Sequence, residues 1–344
     1  MNFLGLEKKG FFANKLNREL TKEEVENQLN QKVKASENPR DCLNIIKMNG
    51  SCLEVVDKWF IFKGLACFTG GCLSIYLLLM VSIIAYGTIQ SNNPAAIWFL
   101  MFAVFIHAPI FYIAFRLLSL EMFKQTHYPI RFDAESNKIH ALLPGGEVVN
   151  INWNDAFVFL NKTRHPFAIK PSSSFHYEVC IHVLSSDRSH VLQTFSLGSF
   201  SETKGDAINL WEFVRVFMED SSSHRKLANN VSYYLPIEEK AESFKLSVML
   251  VMAPASGYPL LQLITAPITS LFVLGRRLSV VTSQIPKWPE CSLEYDGEEV
   301  NVYRNENKKL TFLDSKWPLI CFAVGFMVTM TMMTWGLVSL YYSL

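Results

Sequence analysis

The sequence predicts an α-helical membrane anchor of three or four spans that carries a water-soluble α+β domain. Two observations predict it. Three long stretches hold no Asp, Glu, Lys or Arg: Gly64–Tyr86, Ser91–Phe115 (interrupted only by His107) and Pro318–Leu344. Each supplies the roughly 20 apolar residues that a hydrocarbon core of about 30 Å demands. Between them, residues 128–220 read as short strands closed by one amphipathic helix. Half of the chain is hydrophobic and 18% is charged, and this apolar share is concentrated in the long runs. The formal net charge of +1 gives no basic footprint for nucleic acid, so nucleic acid is not an expected partner.

Residues 1–58 read as a helical N-terminal region exposed to the cytosol. Met1–Leu6 is too short for a signal-peptide core and is followed at once by Glu7, Lys8 and Lys9. Thr21 and Glu24 have capping-box spacing ahead of Val25, Leu29 and Val33. A second apolar stretch, Cys42–Trp59, is expected to pack on the soluble domain or run along the membrane.

Residues 59–119 form the expected two-helix transmembrane hairpin. Lys47, Lys58 and Lys63 precede it, Arg116, Lys124 and Arg131 follow it, and the link Gly87–Pro94 is uncharged. That asymmetry predicts both ends inside and the link outside.

Residues 120–245 are the expected α+β domain. Strands are predicted at Ile130–Phe132 and Ile139–Leu142 around the polar turn Asp133–Asn137, then around Val148–Ile151, and at Ala156–Leu160, Tyr177–Leu184 and His190–Leu197. Pro144-Gly145-Gly146 reads as a turn. Ala207–Met218 follows as a helix with Ile208, Trp211, Val214 and Phe217 on one face. Strands followed by one helix is the order of a pleckstrin-homology-like barrel closed by a helix; a plain α+β sandwich reads equally well.

Residues 246–290 are a hydrophobic membrane-associated segment broken by Pro254, Pro259 and Pro267. Lys240 and Lys245 lie before it, Arg276, Arg277 and Lys287 after its uncharged run. Basic flanks on both sides favour a segment that dips in and returns; a fourth span is the alternative. In the first case Arg276 and Arg277 meet lipid headgroups. Residues 291–316 read as a small β-hairpin around Asp296-Gly297, and residues 317–344 as a C-terminal transmembrane helix.

No catalytic signature emerges. The chain lacks a phosphate-binding loop, HExxH and GxSxG. The seven cysteines and eight histidines have no metal-ligand spacing, so neither metal nor cofactor is expected. His176 and His182 share strand parity but read best as solvated surface residues. His107 is the intramembrane polar residue, either structural or part of a polar path. Trp153 and Trp211 are expected as core anchors or, second, as partner-binding aromatics.

Four pieces in order resemble an uncharacterised family of bacterial inner-membrane proteins. They are Arg131-Phe132-Asp133 with Lys138-Ile139, Trp153-Asn154-Asp155-Ala156, Leu210–Glu219, and Ser283–Pro289. Members of that family are sometimes found near interbacterial toxin (type VI secretion) genes. The resemblance implies a non-enzymatic protein that binds a protein partner, as an immunity or accessory factor. Two alternatives stand beside it: a small-solute or ion transport component using residues 246–275 and His107, and a membrane-associated enzyme acting on lipid.

Overall fold

Chain segments far apart in sequence sort into two units by their chemistry. In this computed structural model residues 16–91, 93–144, 146–164, 175–289 and 311–343 are described. Unit 1 comprises Met1–Ile61, Gln125–Glu242 and Ile285–Phe312; unit 2 comprises Phe62–Lys124, Ser243–Gln284 and Leu313–Leu344.

Unit 1 opens with a single-turn helix, α1 (Lys22–Glu26), capped as its sequence predicts: the Glu24 amide donates to Thr21 Oγ1, and the Thr21 amide to the Glu24 carboxylate. The described residues then form nine strands: β1 (Gln28–Leu29), β2 (Ile45–Met48), β3 (Cys52–Val55), β4 (Ile130–Asp133), β5 (Lys138–Leu142), β6 (Val148–Asn152), β7 (Phe157–Arg164), β8 (Phe175–Leu184) and β9 (Val191–Ser201). They form two antiparallel sheets, β2-β3-β4-β5-β6 and β1-β7-β8-β9. Helix α4 (Lys204–Glu219) and the shorter α5 (His224–Asn230) come next. Alternate residues of both sheets, such as Leu53, Phe132, Ile139, Val179 and Phe195, join Trp211, Phe213 and Phe217 of α4 in one core.

Two expectations are corrected. The stretch from residue 42 to 59 is a β-hairpin, β2–β3, where a helix was expected. Its Leu53-Glu54-Val55 alternates with period two, and Asn49 closes the turn by accepting from the Cys52 amide at 2.5 Å. The strands also stay in two open sheets and close no barrel among the described residues. The N-terminal region is thus part of this unit: residues 31–40 run antiparallel along α4, with the Ala35 amide on Glu212, Ser36 on Asn209, and Lys32 on Glu219 at 2.7 Å. The hairpin expected at residues 291–316 falls largely outside the described residues.

Unit 2 is helical: α2 (Leu65–Gln90), α3 (Ala95–Glu121), α6 (Phe244–Met252), α7 (Pro259–Thr282), and α9 (Trp317–Ser343), with the one-turn α8 (Phe312–Ser315) at the junction before α9. Among the described residues four stretches are long and apolar enough to cross a membrane: Phe60–Gln90, Ala95–Glu121, Pro259–Thr282 and Trp317–Ser339. The predicted break at Pro267 does not occur. The chain breaks between Ala253 and Tyr258, Pro259 takes the first turn of α7, where a missing N–H costs nothing, and α7 runs through Pro267 to Thr282.

Small residues set the helix crossings. A Cβ on Gly325 would lie 2.3 Å from the backbone of Ala266, and one on Gly275 2.7 Å from Phe68. Gly64, at φ +98°, lets α2 start against the Arg276 backbone.

Candidate functional site

The residues singled out from the sequence are reached element by element. In unit 2, Arg276 and Arg277 lie inside α7 and not beyond it. Arg276 is fully buried and donates from Nη1 to the Lys63 carbonyl at 3.1 Å. Its expected headgroup contact is therefore corrected: a side chain with no exposed surface cannot meet lipid. Arg277 is half-buried.

One turn away, the Glu121 carboxylate at the end of α3 accepts from the amides of Gly64 and Cys67, at 2.9 and 3.1 Å. A negative charge at the positive end of α2 neutralises part of the helix dipole and fills the donors that a helix start leaves open. Arg276 and Glu121 thus join the ends of α2, α3 and α7.

His107 lies on the face of α3 turned to α2, its ring 6.4 Å from that of Tyr76. Nδ1 is 2.8 Å from the Ala103 carbonyl, one turn back on its own helix. Gln262 donates to the Met252 carbonyl, and Thr329 to those of Pro267 and Gly325. Each of these groups is answered by a backbone carbonyl.

In unit 1, Trp153 and Trp211 are both completely buried and stack at 5.4 Å. Trp153 Nε1 donates to Glu219 at 2.6 Å. They are core anchors joining the turn before β7 to α4, and neither is available to a partner.

Two constellations went unseen in the sequence. The first crosses the outer face of the five-stranded sheet. Register places Lys47, Glu54, Arg131, His140 and Asn150 side by side on five successive strands. Arg131 donates to Glu54 at 2.6 Å with both side chains buried, the Trp288 ring covers its guanidinium at 4.6 Å, His140 Nδ1 meets Asn150 Oδ1 at 2.6 Å, and Lys47 pairs with Glu238 at 3.0 Å. Lys47, Glu54 and Arg131 alternate in charge, so these three attract their neighbours, while His140 and Asn150 are joined by a hydrogen bond.

The second lies on the outer face of β8, where His176, Glu178, Cys180 and His182 point the same way and are all buried. The solvated placement expected for His176 and His182 is thereby corrected. Glu178 accepts from Lys58 at 3.3 Å, Asn161 at 2.7 Å and Ser196 at 2.9 Å. His182 sits between Thr194 Oγ1 at 2.7 Å and Glu24 Oε1 at 3.2 Å, with the Phe159 ring at 4.5 Å.

The segment around α1 straps this face. Val191 exchanges backbone bonds with Asn17 and Arg18, and β1 pairs with β7. Burial pushes the Glu24 carboxyl up, but bonds from Arg18, Thr21 and His182 outweigh it and hold the group at about 2. Burial lowers the His182 imidazole against the pull of Glu24, and burial raises the Cys180 thiol, with Glu178 adding to it. A thiol so protonated is a poor nucleophile. The pair Cys180–Ser196 is therefore packing, and the row is a structural polar layer. Among the described residues no three His, Cys, Asp or Glu gather as metal ligands. The signal that could have found both rows is parity: polar residues at alternate positions in strands whose other face is apolar.

Comparison with known proteins gives one match. The family model described as "Family of unknown function (DUF6708)" covers residues 107–300, more than half of the chain. No curated protein and no solved structure matches.

Proposed function

We propose, from the premise that the chain belongs to the family of unknown function DUF6708, that it is a membrane-embedded protein that binds a protein partner and does no chemistry of its own. The observation that carries this reading is the division of labour between the units. Unit 2 concentrates the helices long enough to cross a bilayer. Unit 1 is a two-sheet domain whose buried polar rows are answered by their own neighbours, as in a recognition scaffold. Two antiparallel sheets followed by α4 also suit a pleckstrin-homology-like module, though an open one. The basic residues flanking the α2–α3 hairpin favour a cytoplasmic unit 1, and the family resemblance read in the sequence suggests a bacterial inner membrane. The sharpest form of the reading is an immunity or accessory factor of a toxin system.

The test uses the full chain in its host membrane. Cross-linking in cells from exposed unit 1 positions such as Ser186 and Glu202, followed by identification of the adduct, is expected to return one dominant protein. Co-expression with toxin genes encoded nearby is expected to restore growth. No adduct from either position, together with no protection, would overturn the reading.

A further inference from the structure

We infer that α6 and α7 form a re-entrant hairpin, which enters the bilayer after Glu242, turns at Ala253–Tyr258 and leaves at Gln284 on the side it entered. The inference rests on the membrane reading above and goes beyond it, because it fixes which segments share a compartment.

Unit 1 folds from separate pieces of chain. β3 and β4 are hydrogen-bonded neighbours, Val55 opposite Ile130, although the α2–α3 hairpin lies between them in sequence. The piece ending at Glu242 is tied in as well: Leu235 donates from its amide to the Ile45 carbonyl at 2.9 Å, and Glu238 pairs with Lys47. The piece beginning at Ile285 returns to the same body, with Trp288 over Arg131. A single folded body lies on one side of a membrane. A stretch of chain that leaves it and comes back must cross an even number of times.

For residues 62–124 the even number is two, since α2 and α3 have 26 and 27 residues. For residues 243–284 it cannot be two. One crossing is within reach of α7, but α6 has nine residues, a rise of about 14 Å against the roughly 30 Å needed. One crossing breaks the parity. The remaining number is zero.

The geometry inside unit 2 agrees. The end of α7 lies beside the end of α3 and the start of α2. Ser283 Oγ donates to the Glu121 carbonyl at 3.1 Å, the Gln284 amide to that of Lys124 at 2.8 Å, and the Arg276 backbone packs on Gly64. The exit of α7 is therefore level with both feet of the hairpin. α6 returns antiparallel to α7: its last residue, Met252, accepts from Gln262 at 3.0 Å, while its first, Phe244, meets Phe322 near the start of α9 at 5.0 Å.

A bend at membrane depth must satisfy its own backbone. Here the Gln262 side chain fills the Met252 carbonyl, the Ser256 amide that of Ala253, and the Tyr258 amide that of Ala255. Pro254 and Pro259 have no N–H to satisfy, and Gly257 takes φ +83°. α9 packs along α7, with Gly325 at Ala266 and Thr329 at Pro267, and its 27 residues cross once. The end of α9 then lies across the bilayer from its start.

The experiment labels single cysteines at Ser91, Ser186, Lys287 and Tyr342 with an impermeant maleimide, in right-side-out and inverted vesicles of the full chain. The native cysteines are replaced by alanine. Lys287 is expected to label in the same vesicles as Ser186, and Ser91 and Tyr342 in the others. Lys287 labelling with Ser91 would overturn the re-entrant hairpin while leaving the membrane reading intact. Carbonate extraction of the whole chain from the vesicles would instead overturn the membrane reading. Should the cysteine-free chain fail to fold, protease sites inserted after Ser186 and after Lys287 in the native chain replace the labels. Cleavage of both in the same vesicles supports the inference, and cleavage in opposite vesicles overturns it.

Discussion

In unit 1, buried Arg131 finds Glu54 on the neighbouring strand and the Trp288 ring across its guanidinium face. In unit 2, the equally buried Arg276 reaches the Lys63 carbonyl, and the Glu121 carboxylate takes the amides of Gly64 and Cys67. Each unit replaces solvent in its own way. A sheet presents side chains in rows, so a charge can be matched from the next strand. Helix ends gathered at one level offer open carbonyls and amides instead, and those are the partners at hand where water is scarce.

The largest effect is expected where that matching is broken on one side only. Glu54→Ala leaves Arg131 buried without its carboxylate, and removing one member of a buried pair costs about 3–5 kcal/mol. Replacing both with methionine is expected to recover most of it, because no charge is then stranded. Thermal unfolding of the detergent-solubilised chain, followed by tryptophan fluorescence, reads both. A double variant as unstable as Glu54→Ala would mean that the row serves something other than mutual neutralisation.

The matching loss in unit 2 is steric. Gly325→Leu puts a side chain where a Cβ alone would lie 2.3 Å from Ala266. Overpacking of this kind costs about 1–3 kcal/mol, and the α7–α9 contact is expected to open. Proteolysis in detergent should cut between α6 and α9 sooner than in the native chain, while unit 1 stays resistant. Equal protease resistance would show that α7 and α9 tolerate a wider separation than their small residues imply.

A smaller effect, confined to acid, is expected at the strap. Burial holds the His182 imidazole below 6.5 in the fold, whereas the unfolded chain takes up a proton near 6.5. Stability from this group is thus complete above that value and declines as the pH falls through it. Glu24 acts in a lower window: its folded value of about 2 lies below the unfolded 4.5, so its contribution is present above 4.5 and is lost between the two. His182→Gln keeps a hydrogen-bonding side chain without the titration. Between pH 7.5 and 5.5 the native melting temperature is expected to fall, and that of the variant to stay level. A fall of equal size in both would assign the acid loss elsewhere.

These rows explain what was and was not legible in the sequence. Strands β4–β9 and α4 declared themselves through local alternation: Phe132, Ile139 and Ile151 point inward and their neighbours outward. β2 and β3 did not, because Leu43, Ile45, Ile46 and Met48 form a dense apolar run, and the strand that pairs with β3 lies beyond two long apolar helices. Glu54 and Arg131 are 77 residues apart, so their pairing exists only once the register is known. Arg276 looked like a headgroup anchor because it ends an uncharged run. Its burial follows from Gly64, whose missing Cβ lets two backbones meet, and nothing near Arg276 in sequence announces that. Pro267 looked like a break because local chemistry says so, and α7 continues through it packed along α9.

The smallest effect is expected at His107, and it separates a structural histidine from a polar path. Its Nδ1 donates to the Ala103 carbonyl, a group that lies in its own helix and is already within the backbone ladder. Replacing the bond removes little, since side-chain hydrogen bonds inside membranes average about 0.6 kcal/mol. Phenylalanine keeps a ring beside Tyr76, where the two rings now stand 6.4 Å apart. His107→Phe is therefore expected to melt within about a degree or two of the native chain, and to leave proton or ion flux into reconstituted liposomes unchanged. A relay would need a line of exchanging groups beyond His107 and its neighbour Tyr76, whereas Gln262, Ser270 and Thr329 on α7 and α9 are bonded to backbone carbonyls and do not titrate. If the native chain carried a flux that His107→Phe abolished without loss of stability, the histidine would have to connect to water along α2, and unit 2 would be a conduit as well as an anchor.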